Sequence, residues 1–112
     1  MKIEFSKILD GIARYIDKEI YPGMNDWQEL VVRVAVGRIL TGKEALQANI
    51  LNNPIIRSFV LIDDSGMVEI DTLLTDVKRE LAKKGSVQVN IPLLGNLKFV
   101  EGDIDRLRSY IL

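Results

Sequence analysis

Ser86-Val87-Gln88-Val89-Asn90-Ile91-Pro92-Leu93-Leu94-Gly95-Asn96-Leu97-Lys98-Phe99-Val100 is the stretch that decides the fold class. Val87, Val89 and Ile91 alternate with Ser86, Gln88 and Asn90, the period-two pattern of a strand with one buried face. Pro92 to Asn96 reads as a loop, and Leu97, Phe99 and Val100 follow with Lys98 turned outward. Two extended runs joined by about four or five residues predict a β-hairpin.

Around the hairpin the spacing is helical. Upstream, Leu73, Leu74, Val77 and Leu81 share one face of a helix over 71–84, with Asp71 as the expected cap. Lys83 and Lys84 suit its C-terminal dipole, and Gly85 suits the stop. A short extended piece over 67–70 precedes it, after the turn Asp63-Asp64-Ser65-Gly66. Downstream, Gly102-Asp103 opens a last short helix with Ile104, Leu107, Tyr110 and Ile111 inward.

The first 62 residues read as helices throughout. Phe5, Ile8, Leu9, Ile12, Ile16 and Ile20 mark a helix over 3–20, in which Gly11 is a weak point of about 1 kcal/mol. Tyr21-Pro22-Gly23 ends it. Asn25 and Gln28 form a capping-box pattern for a second helix running to about Leu40. Its apolar residues (Trp27, Leu30, Val31, Val34, Ala35, Ile39 and Leu40, widened by Val32 and Val36) cover most of its sides. Such a helix is either central or buried against a second chain. Thr41 to Glu44 starts a short helix through about Asn52, and Asn53-Pro54 starts another segment over 54–62, read as a short helix in preference to a strand. The expectation is therefore one α+β, mainly α domain over residues 1–112. Its helical region covers residues 1–62, and its mixed helix and hairpin region covers residues 63–112. It has four or five helices and a small C-terminal β-hairpin.

Composition narrows the chemistry. The chain has 112 residues, no Cys and no His, which excludes disulfides, thiolate zinc sites, Cys nucleophiles and His-based triads. With 15 Lys and Arg against 16 Asp and Glu, no bulk charge draws it to nucleic acid or to an anionic membrane. No apolar run approaches the roughly 20 residues of a spanning helix, and the N-terminus lacks a signal-peptide core. A soluble cytoplasmic protein without a cofactor is expected, since a Cys-free chain fits a reducing compartment.

The stretches Tyr21-Pro22-Gly23-Met24-Asn25-Asp26-Trp27-Gln28 and Val89 to Phe99, with Asp103-Ile104-Asp105 after them, resemble small uncharacterised proteins encoded in prophages of Gram-positive bacteria. These are packing and turn motifs. The resemblance implies a phage-derived protein in a bacterial host cell and supplies no catalytic or binding residue.

Several constellations bear on chemistry. Asp63, Asp64, Ser65, Glu69 and Asp71 are the densest acidic group, but Gly66 comes too early for a calcium loop and Leu74 stands where its last carboxylate belongs. A solvated turn and a helix cap is the preferred reading. Asp103 with Asp105, and Asp10 with Asp17, are carboxylate pairs by type only. No catalytic residue and no metal site is expected. The order helix, strand, helix, hairpin is partly that of a winged helix, in which Lys78, Arg79, Lys83 and Lys84 would face nucleic acid. Against this, residues 63–112 hold seven Lys/Arg and nine Asp/Glu, a net of −2. Leu93 and Leu94 are unusual in a hairpin loop, and with Trp27 they are the candidate interface residues. The leading expectation is a non-enzymatic protein that contacts itself or another phage protein, with a nucleic-acid-binding regulator as the alternative.

Overall fold

The structure, a computed structural model, describes residues 1–41 and 60–112. It begins with a strand, β1 (Lys2–Glu4), where periodicity placed the first turn of a helix. β1 pairs antiparallel with β2 (Met67–Glu69), in the register Lys2↔Glu69, Ile3↔Val68, Glu4↔Met67. The turn before β2 is built by Asp63, whose Oδ1 accepts from the backbone N–H groups of Ser65 and Met67. Its Oδ2 accepts from Lys2 Nζ at 3.0 Å, tying the turn to β1.

Helix α1 (Phe5–Tyr15) continues into a wider π turn over Ile16–Ile20, which ends where Tyr21 N–H donates to the Ile16 carbonyl. Helix α2 (Asp26–Leu40) starts with the predicted capping box: Gln28 N–H donates to Asn25 Oδ1 at 2.8 Å, and Asn25 N–H donates to Gln28 Oε1 at 3.0 Å. Each side chain satisfies an amide that the helix start leaves without a partner.

The expected short helix after Thr41, and residues 54–59 of the next segment, lie outside the described residues. The end of that second segment is not helical: Ile62 forms an antiparallel bridge to Val68. Helix α3 (Ile70–Lys84) starts one residue earlier than expected, and its cap is Glu69, whose Oε1 accepts from the Asp71 N–H. Asp71 is thereby placed in the first turn instead of at the cap. Gly85, at φ 78°, ends the helix in the left-handed conformation that glycine tolerates best.

The hairpin forms from β3 (Ser86–Ile91) and β4 (Gly95–Val100). Ile91 pairs with Gly95, so the connection is the three residues Pro92–Leu94, shorter than the sequence suggested. Helix α4 (Glu101–Ile111) follows at once, with Val100 N–H donating to Asp103 Oδ2 at 2.7 Å. The architecture is α+β and mainly α, with four helices among the described residues and two small antiparallel sheets.

One core joins the two halves of the chain. Ile8, Ile12 and Ile16 meet Leu73 and Leu81 of α3, Val87, Ile91 and Leu97 of the hairpin, and Ile104 and Leu107 of α4. α1 and α4 approach closely at Gly11: a Cβ there would fall 2.7 Å from Ile111 Cγ1 and 2.9 Å from both Ile111 Cα and the Tyr110 carbonyl. The second helix is not central. Only Val32 and Ala35 of α2 are fully buried.

Candidate interaction surface

The capping box fixes where α2 begins and so places Trp27 in its first turn. From there Leu30 and Val34 follow at three and seven residues, one stripe of the helix. Trp27 is 64% exposed, Leu30 46% and Val34 47%. Beside the stripe runs a shallow groove floored by Val31 and Ala35, with Arg38 at one end. Its far wall is Pro92, which brings the hairpin turn against α2.

That turn separates the two candidate leucines. Leu94 N–H donates to the Ile91 carbonyl at 3.0 Å, closing a turn with Pro92 and Leu93 at its centre. Leu93 sits at φ 74°, in the position of a type II turn that favours glycine or asparagine. It is 61% exposed, whereas Leu94 packs partly buried against the core. Trp27 and Pro92 therefore line one groove, Leu93 is exposed in the turn next to it, and Leu94 belongs mainly to the fold. Leu30 and Val34 complete the surface. Their spacing from Trp27 was visible in the sequence, but nothing there distinguished the outward stripe from the inward one.

The ends of the stripe carry opposite charges, Asp26 at the start of α2 and Arg38 at its end. Both are exposed, and neither has an ion-pair partner among the described residues. Arg33, between them, turns toward α1, with Nε 2.9 Å from Asp10 Oδ1.

The cations of α3 are mostly engaged with carboxylates. Lys78 Nζ donates to Asp105 Oδ1 at 2.9 Å, which raises the lysine pKa. Arg79 pairs with Asp76 at 3.3 Å and Lys83 with Glu80 at 3.8 Å. Lys84 is exposed at the helix end. α3 runs through Gly85 straight into β3, so this region of the chain has no separate recognition helix.

Most of the carboxylates singled out in the sequence are also occupied. Arg108 Nη1 donates to Asp71 Oδ1 at 2.6 Å and holds that carboxyl below its ordinary pKa. Asp63 is lowered by the Met67 N–H and by Lys2. Asp17 accepts from the Met24 N–H at 2.8 Å. Asp103 is buried: its Oδ1 accepts from Tyr15 Oη at 2.5 Å and from Arg106 Nη2 at 2.8 Å, while Oδ2 caps α4. Burial, reinforced by the bond to Asp103, pushes the Tyr15 phenol up to about 12. This network joins α1 to α4 beneath the surface. A cavity of about 110 Å³ lies among side chains such as Ile12, Leu81, Phe99 and Leu107, and the described residues around it are all hydrophobic. They supply no reactive group.

Comparison with family models, curated proteins and solved structures finds no match for this chain. No described helix is long and apolar enough to cross a membrane.

Proposed function

We propose that this protein is non-enzymatic and acts through protein–protein contacts, with itself as first partner. The carrying observation is the exposed stripe of Trp27, Leu30 and Val34 beside Pro92, with Leu93 exposed in the same turn as Pro92. Large apolar side chains grouped on one face are the usual mark of an interface, and Trp is enriched among the residues that dominate binding. Leu93 adds to this support. A leucine at positive φ costs about 1–2 kcal/mol of folding stability, and its side chain recovers little of that from the core. The resemblance to prophage-encoded proteins and the Cys-free composition fit a component that works in the cytoplasm of a bacterial host.

Molar mass by light scattering behind size exclusion, over a wide concentration range, tests the reading. The unmutated protein should form a defined oligomer, and Trp27→Ser with Leu93→Ser should reduce it to a monomer with unchanged helical circular dichroism. A strict monomer at every concentration would refute self-association.

A further inference from the structure

Resting on that self-association, we propose a specific geometry for it. A second copy docks α2 against α2 antiparallel, about a two-fold axis passing between Leu30 and Val34. Arg38 of each copy then lies over the Trp27 ring and beside the Asp26 carboxylate of the other.

The positions carry this geometry. Asp26 and Arg38 bracket the apolar stripe, twelve residues and so about 18 Å apart along the helix. Position 32 is midway between 26 and 38, and also midway between 30 and 34. An antiparallel pair centred there places Leu30 opposite Val34 twice, and the end of each stripe opposite the start of the other. Both charged ends are exposed and lack ion-pair partners among the described residues, so the pairing displaces no existing bridge. Trp27 falls opposite residue 37, a glycine, with Arg38 next to it. The guanidinium then meets the electron-rich face of the indole. A parallel two-fold pair instead sets Asp26 against Asp26 and Arg38 against Arg38, placing like charges together at both ends. The contact uses the same patch on both copies, so it closes at a dimer.

Charge reversal with rescue tests the orientation. Dissociation constants are measured by light scattering and sedimentation at low salt for the unmutated protein, Asp26→Lys, Arg38→Glu and the double variant, with circular dichroism confirming the fold of each. Antiparallel docking predicts that either single reversal weakens the dimer by about tenfold or more, because each change acts at two symmetric contacts. The double variant restores opposite charges across the interface and must bind more tightly than Arg38→Glu alone. A double variant no tighter than that single variant overturns the antiparallel geometry. A dimer insensitive to all these changes and to Trp27→Ser forms elsewhere, which overturns this docking but not self-association. An unmutated protein that stays monomeric removes both.

Discussion

Replacing Gly11 by Ala separates what helix propensity says from what packing says. In an isolated helix this change is favourable by about 1 kcal/mol, since alanine loses less backbone freedom on folding. In this fold the added methyl meets Ile111 Cγ1 at 2.7 Å, Ile111 Cα at 2.9 Å and the Tyr110 carbonyl at 2.9 Å. The first contact is relieved by turning a side chain. The other two are backbone, so α1 and α4 must move apart along the seam that holds the core. Overpacking of this kind costs roughly 1–3 kcal/mol. Set against the propensity gain, the net is a loss of up to about 2 kcal/mol, and the melting temperature falls by up to roughly 10 °C for a domain of this size. Gly37 and Gly102 are internal controls. A Cβ at Gly37 makes only an ordinary contact with Leu9, 3.4 Å away, and one at Gly102 meets nothing within 4 Å. Both Gly37→Ala and Gly102→Ala should be neutral or stabilising. The assay is urea and thermal unfolding followed by circular dichroism at one fixed protein concentration, because self-association shifts apparent stability. A Gly11→Ala variant more stable than the unmutated protein would refute the close approach of α1 and α4.

The remaining predictions concern pH and the hairpin turn. Because burial and Asp103 favour the neutral Tyr15 phenol, its folded pKa of about 12 lies above its unfolded value near 10. The resulting stability, on the order of 2 kcal/mol, is present in full below pH 10 and is lost as pH rises toward 12. Tyr15→Phe should therefore flatten the fall in unfolding free energy between pH 9 and 12, and parallel profiles for the two proteins would contradict this. Leu93→Asn should stabilise the fold by about 0.5–1 kcal/mol, because asparagine tolerates positive φ, while weakening self-association. A lower unfolding midpoint for that variant would show that the turn is not strained.

Where a local pattern was long enough, it could be read directly. The alternation over Ser86–Ile91 gave the hairpin, and Asn25 with Gln28 gave the start of α2, since both signals act within a few residues. β1 was hidden because three residues cannot show a period, and its partner lies more than sixty positions away. The same distance concealed the buried link from Tyr15 to Asp103 and Arg106, whose members read as unrelated polar residues.

The interaction surface divides in the same way. Sequence alone singled out Trp27 and the two hairpin leucines as apolar residues in search of a partner. It also specified the fold class, because hydrophobic period and turn chemistry are properties of short segments. Tertiary packing decided which apolar residues found a partner inside the fold. It covered Leu94, left Leu93 exposed at positive φ, and turned the stripe of Trp27, Leu30 and Val34 outward beside Pro92. It also explained Gly11, a defect by helix propensity but a point where α1 and α4 pass close together. Burial depends on which elements lie against each other, and that is set by contacts between residues far apart in the chain.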